Sequence, residues 1–550
     1  MGSPCSRIMS VGAVAGRGKD AAIVALAVLL AASWAYFLTR PTAQAPELLT
    51  DPDVLIIGMD ISDAVSLDPA RAYELTSCLV VNQLYDKLVD FEPPDYSEPV
   101  PEVAESWEVL DDGVTWIFHI RKGIMFTDGT PLTAEAVAFS LKRVLKLQQA
   151  PSWVLTQFGI TEDSIEVVDN YTVKIRLGRK VAPRIFLSCL AFTVGAIVNP
   201  NEVKAHEKEG DLASEWMTDH SAGSGPFILE KWERESEIVL VANENYWKGK
   251  PRLKKIIIRH VPEPTDQLLL LEKGDIDIAW SLTPDQIEEV RDKVGIKVVS
   301  VPAYEKVYLG MNVGFKPFSD ERVREAIRWA IDYDAILRLL KGGAMKLQTF
   351  IEKGIPGYNP DAPYYRDVEK ARKLLAEAGY PEGFEVELMA PPTFPYRDIA
   401  AIVKQNLEEV GIRVRIRLVT AAEMYEKYRK QGHQLILARW GADYPDPDAL
   451  AKPFADYRVK QLAWRNMWYD DYAADLVEKA AVEMDWSKRL KMYHELTEYV
   501  LHKGPYVILY QVVRQVALRT WVENFYPDPS FFLLDLSRVY KERVYGYGGA

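Results

Sequence analysis

Between Ile399 and Asp448 the pattern switches between helical and strand period three times, and this stretch constrains the fold more than any other. Ile402, Val403, Leu407 and Val410 recur at helical spacing up to Gly411, a residue suited to ending a helix. Val414, Ile416 and Leu418 then alternate with Arg413, Arg415 and Arg417, the two-residue period of a strand. Thr420 and Glu423 have the spacing of a capping box and open a helix that stops before Gly432. A second strand, Gln434 to Trp440, runs into the loop Gly441-Ala442-Asp443-Tyr444-Pro445-Asp446-Pro447-Asp448. Strand, helix, strand in that order favours parallel strands joined by a crossover. Parallel sheets collect ligands beyond the carboxyl ends of their strands, where this Asp-rich loop falls.

The rest of the chain carries the same mixed α and β signature. Thr115 to Arg121 alternates, with Trp116, Phe118 and Ile120 on one face, and a turn at Thr127-Asp128-Gly129 precedes a helix capped by Thr133. Ile256–Val261 and Asp277–Trp280 read as strands, with a helix from Thr265 to Lys273 between them. Asp320 and Asp367 sit where helix caps are needed, and Gly379 marks the end of the second of these helices. A length of 550 residues leaves room for three or four domain-sized units.

The first forty residues read as a targeting segment. Arg7, Arg17 and Lys19 precede an uncharged run, 21–38, that is long for a signal core and just long enough to cross a bilayer. This gives a basic segment 1–20, a signal or membrane anchor 21–38 and a linker 39–52. An uncleaved anchor and a cleaved signal both fit, with cuts after Ala45 or Ser33 as the candidates. No Cys lies between residues 21 and 50 to carry a lipid. The net charge of −13 argues against nucleic acid as a partner, because phosphates would be repelled. Cys78 and Cys189 are compatible with a disulfide or with two free buried thiols. The sequence has no His-Glu-x-x-His pair, no Gly-x-Ser-x-Gly elbow, no phosphate-binding loop and no dinucleotide fingerprint, so nothing points to catalysis. Asp443, Asp446 and Asp448 lack the alternating Asp pattern and closing Glu of a calcium loop. No metal and no cofactor is expected.

Several blocks resemble one family when taken together. They are Ser66-Leu67-Asp68-Pro69 with Leu84-Tyr85-Asp86-Lys87-Leu88-Val89, the run 101–144, GSGPFILEKW at 223–232, NYWKGKPRLKKIII at 245–258, the run 308–332, the run 367–383 and WGADYPDPD at 440–448. In this order they are similar to bacterial extracellular solute-binding family 5, the oligopeptide-, dipeptide- and nickel-binding proteins of ABC importers. The resemblance implies an α/β, two-lobed periplasmic-binding-protein fold (type II, cluster C-like) with an extra subdomain in the first lobe. Lobe I would combine 53–85, 201–304 and 505–545, the additional subdomain 86–200, and lobe II 305–504.

The same resemblance implies a receptor and not an enzyme. It would be periplasmic or otherwise extracytoplasmic and monomeric, tied to the inner membrane by residues 21–38 if these are uncleaved. Its partners would be a peptide or other small solute, an ABC permease and that permease's separate ATPase subunits. In oligopeptide-binding relatives the Asp of the Ala-Asp-Tyr motif meets the ligand ammonium, which maps to Asp443, with Trp440 three residues before it. By position, Tyr73, Glu74 and Leu75 fall where relatives present an extended segment to the peptide, and Trp153 where they place an aromatic. Alternative solutes are an oligosaccharide, an opine or a metal chelate, and an alternative role is a membrane-anchored sensor.

Overall fold

The computed structural model describes residues 47–48, 50–530 and 532–546. The basic segment, the apolar run and most of the linker expected at the N-terminus lie outside the described residues. Among the described residues no helix is long and apolar enough to cross a membrane. Glu47–Leu48 and Tyr545–Gly546 pair as a short antiparallel ribbon in one unit, and residues 52–542 form the other.

Two long strands organise residues 52–542. Ile296–Met311 and Tyr506–Arg519 are rich in β-branched and aromatic residues and pair antiparallel from Ile296↔Arg519 to Gly310↔Tyr506. Their register shifts between Pro302 and Lys306 and again between Val307 and Tyr308. Pro302 has no N–H to give to a ladder, and such irregularities bend and twist a strand. Beyond the shift, Glu305–Met311 pairs with Leu435–Gly441, and Glu385–Ala390 and Arg413–Leu418 follow outward. On the other side, Ile278–Ala279 pairs with Leu518 and Ala517, and Val54–Met59, Lys255–His260, Glu237–Ala242 and Phe227–Glu233 follow. One eleven-stranded sheet therefore has two ends joined by a central ribbon that belongs to both. The border expected at 304/305 falls within the first of these strands and the one at 504/505 just before the second, and Tyr506–Gln511 pairs with residues of the second end.

A separate four-stranded antiparallel sheet, Ala104–Val109, Thr115–Ile120, Thr172–Arg176 and Ile165–Asp169, lies wholly within 86–200. Trp116, Phe118 and Ile120 are buried as their alternation predicts, and Trp116 packs edge-on to Phe186 at 5.0 Å. Burying an aromatic of this size contributes about 1.5–3 kcal/mol.

The strand–helix–strand reading holds in direction and fails in adjacency. Arg413–Leu418 and Leu435–Gly441 are both parallel to Glu385–Ala390, which lies between them. The physical reason is burial: Leu388, Met389 and Ala390 are fully enclosed, whereas Arg413, Arg415 and Arg417 are exposed and suit a sheet edge. Arg415 and Lys427 instead reach the Glu387 carboxylate at 2.7 and 3.1 Å. The capping box is half made. Thr420 accepts the Glu423 N–H at 3.3 Å, while the Glu423 carboxylate turns to Arg417 at 2.6 Å. Asp320 and Asp367 cap their helices, accepting the N–H groups of Arg322 and Lys370, and Gly379 takes a positive φ just beyond the second. Thr133 stands at its N-cap without a side-chain cap bond. Cys78 and Cys189 are buried free thiols.

Candidate functional site

Tyr73 is placed by the segment that begins at Ser66. Asp68 in that turn is fully buried and forms a two-pronged ion pair with Arg143, at 2.6 and 2.8 Å, from the helix Ala134–Leu147. Removing one partner of such a pair strands a buried charge, at about 3–5 kcal/mol. The Ala72 carbonyl accepts from Thr193, and the Tyr73 ring meets Phe192 edge-on at 5.8 Å. The phenol is thereby held out toward Asp443, whose carboxylate accepts its hydrogen bond at 3.2 Å. Trp153 begins a short helix and donates its indole N–H to the Tyr73 hydroxyl, also at 3.2 Å.

Asp443 comes from the opposite end of the sheet, in the loop that follows Leu435–Gly441. The loop is tied down on both sides of it. The Ala442 N–H donates to the Tyr304 carbonyl at 3.0 Å, and a Cβ at Gly441 would stand 3.0 Å from that same oxygen. Asp446 accepts from both terminal nitrogens of buried Arg489, at 2.9 and 2.6 Å. Arg184, from the helix Pro183–Leu190, lies 3.7 Å from Asp446 and donates to the Pro445 carbonyl at 2.9 Å. Burial alone would raise the Asp446 carboxyl, but Arg489 and then Arg184 hold it below the usual carboxylate range. Asp448 accepts from Tyr444 at 2.9 Å and pairs with Lys452 at 2.6 Å. Two of the three acids in the loop are thus committed to protein cations. Asp443 has no cationic partner among the described residues.

These segments border a cavity of about 840 Å³, open on one side, that Tyr73, Trp153, Trp440 and Asp443 all line. Its size falls in the range of about 300–1,000 Å³ usual for small-ligand sites. Burial pushes the Asp443 carboxyl up to about 6 against the pull of the Tyr73 hydrogen bond. Burial and the neighbouring Asp443 charge also raise the Tyr73 phenol, which therefore stays a donor. Glu74 and Leu75 do not line this cavity. Glu74 is half-buried at the start of the helix Leu75–Leu84, its carboxylate accepting the Tyr73 N–H at 3.3 Å.

Sequence reasoning missed the cationic side of the cavity. Arg179, Arg429, Arg439, Lys452 and Arg465 line it, against Glu305, Asp443 and Asp448 among the acids. Glu305 pairs with Arg439 at 3.4 Å and raises that guanidinium. Arg465 stands on the single turn Leu462–Arg465, with its guanidinium carbon 5.8 Å from the Trp440 ring centre. No motif surrounds it, and only the fold brings it to Trp440.

Comparisons with known proteins identify the family and the fold. The description "Bacterial extracellular solute-binding proteins, family 5 Middle" matches residues 98–460. A dipeptide-binding protein of Escherichia coli (strain K12) is 29% identical over 469 residues, covering 81% of this chain and 87% of the relative. A solved ABC transporter-associated periplasmic binding protein from Helicobacter pylori, in complex with the peptide STSA, superposes with a TM-score of 0.73. It is 27% identical, over 89% of this chain and 98% of that one. The binding protein AgaA of A. tumefaciens R10, in complex with agropinic acid, gives a TM-score of 0.70 at 26% identity, over 89% and 99% of the two chains.

Proposed function

The chain belongs to the bacterial extracellular solute-binding proteins of family 5, and from that premise we propose that it captures a peptide-like solute between its two lobes. In this reading it is an extracytoplasmic receptor and not an enzyme. It closes on its ligand and presents the closed form to an ABC permease whose ATPase subunits are separate chains. Specificity lies in which ligand stabilises the closed state, and no chemical step is needed.

The observation that carries the reading is the Asp443 carboxylate, which lines the cavity with a tyrosine hydrogen bond and, among the described residues, no cation paired to it. A ligand ammonium supplies the missing charge and joins the Trp153–Tyr73–Asp443 hydrogen-bond chain at its acidic end. Truncating one member of a desolvated charge pair costs about 2–5 kcal/mol. Calorimetric titration with di- and tripeptides should therefore give at least a tenfold weaker affinity for Asp443→Ala than for the parent protein. Equal affinities in two folded proteins would remove Asp443 from the site.

A second reading keeps the receptor and changes the solute to an opine. It is favoured by the likeness to the agropinic acid complex. Thermal-shift screening separates the two, because a tight ligand raises the melting temperature by mass action.

A further inference from the structure

Arg465 is 9% exposed and lines the cavity. Three other buried arginines each place two or three guanidinium nitrogens on acceptors. Arg143 grips the Asp68 carboxylate and Arg489 grips Asp446, each with two nitrogens, while Arg328 donates to the carbonyls of Tyr506, His502 and Gly504. Arg465 has far less. Its side chain donates once, to the neutral Gln461 amide oxygen at 2.6 Å, its Nε has no acceptor, and no carboxylate pairs with it among the described residues. Taking a charge out of water costs several kcal/mol unless a counter-charge and hydrogen bonds compensate it. Stacking near Tyr428 and Trp440, at 5.6 and 5.8 Å, offsets only part of that.

A second unfilled donor lies beside it. The Trp440 indole N–H is buried without a partner, and Trp440 lines the same cavity. Buried indole N–H groups usually find an acceptor, and both unfilled groups here are donors. The charge count of the walls points the same way. Arg439 is matched by Glu305 and Lys452 by Asp448, so Arg179, Arg429 and Arg465 face a single unmatched acid, Asp443.

We propose that Arg465 and the Trp440 indole N–H form a carboxylate-binding subsite in this cavity, distinct from the Asp443 carboxylate. It rests on the receptor reading and narrows it. The ligand carries a carboxylate as well as an ammonium, and a second carboxylate improves the fit because the walls remain cationic once the first is bound. A planar guanidinium is suited to the task, since it offers parallel N–H groups to the two oxygens of a carboxylate. The carboxylate comes either from a peptide C-terminus or from an acidic side chain.

Four probes separate these sources: Ala-Gln, Ala-Glu and the C-terminal amide of each, titrated calorimetrically into the full-length protein and its Arg465→Gln and Trp440→Phe variants. The expected result is that Ala-Glu binds at least tenfold tighter than Ala-Gln amide. Arg465→Gln should abolish most of that difference while binding the Ala-Gln amide as the parent does, which also reports an intact fold. Trp440→Phe keeps the ring, removes the N–H and should lose a few-fold on carboxylate probes alone. The carboxylate whose removal is felt identifies the source. Equal loss on all four probes in Arg465→Gln, or affinity indifferent to both carboxylates, overturns the subsite and leaves the receptor standing. Failure of all four probes to bind the parent protein overturns the subsite together with the peptide reading.

Discussion

Lowering the pH from about 7 to about 5 should weaken peptide binding about tenfold, through Asp443 alone. Burial holds this carboxyl near 6, so a group that is ordinarily ionised throughout this window titrates in the middle of it. A ligand ammonium binds the carboxylate and not the acid, so binding expels the proton wherever the acid form is populated. With a pKa of about 6, about a tenth of the sites are protonated at pH 7 and about nine-tenths at pH 5, so the apparent affinity falls tenfold, or about 1.4 kcal/mol. Calorimetry in two buffers of different ionisation enthalpy reads the proton directly. About half a proton should leave per ligand near pH 6 and close to one near pH 5. The ligand-free protein gives an independent check of sign. The folded-state pKa lies above the unfolded value of 3.8, so ionisation of Asp443 opposes folding: its own contribution to stability is fully present below 3.8 and is lost as pH rises through 6. Asp443→Asn should therefore stabilise the ligand-free protein at neutral pH, by up to about 3 kcal/mol, while binding peptide weakly and without pH dependence. A flat affinity profile between pH 5 and 7, or the same slope in Asp443→Asn, would refute the assignment.

Three further outcomes follow from buried groups. Arg489→Gln strands the Asp446 carboxylate and should destabilise the protein by about 3–5 kcal/mol in denaturant titration. Lys306 and Glu352 are an entirely buried pair on the central ribbon and the segment beside it. Lys306→Met should be strongly destabilising, and adding Glu352→Leu should recover part of the loss, because the second change removes the stranded acid. Burial raises both the Cys78 and Cys189 thiols, so neither should react with iodoacetamide until the protein is unfolded; a linked peptide pair in mass spectrometry would contradict the free state.

What the chain reveals before folding is mostly local. Asp320 and Asp367 are legible as caps, and Trp116, Phe118 and Ile120 as one buried face, because each depends on neighbours a few residues away. The Asp443 loop is legible because its position beyond a strand is a local matter as well. Strand order is not. Glu385–Ala390 inserts between two strands that follow it in sequence, and only the burial of Leu388 against the exposure of Arg415 settles which takes the edge. Arg465 is the extreme case. Nothing near it in sequence distinguishes it from a surface arginine, and its environment is assembled from Tyr428 and Trp440, both distant along the chain.

For the proposed receptor, the double hold on Asp446 bears on how a bound solute would be released. Arg489 comes from the helix Trp486–Lys503, which the proposed division places in the same lobe as this acid, whereas Arg184 comes from Pro183–Leu190, in the proposed extra subdomain. If the halves separate as proposed, Arg184 would leave with Glu98, its other carboxylate partner at 2.7 Å. Asp446 would keep its two-pronged partner, Arg489. A single bridge across the gap would have left a naked anion at every cycle and made parting slow. In the proposed receptor, sharing one anion between a permanent and a temporary guanidinium would let the jaws grip firmly and still come apart.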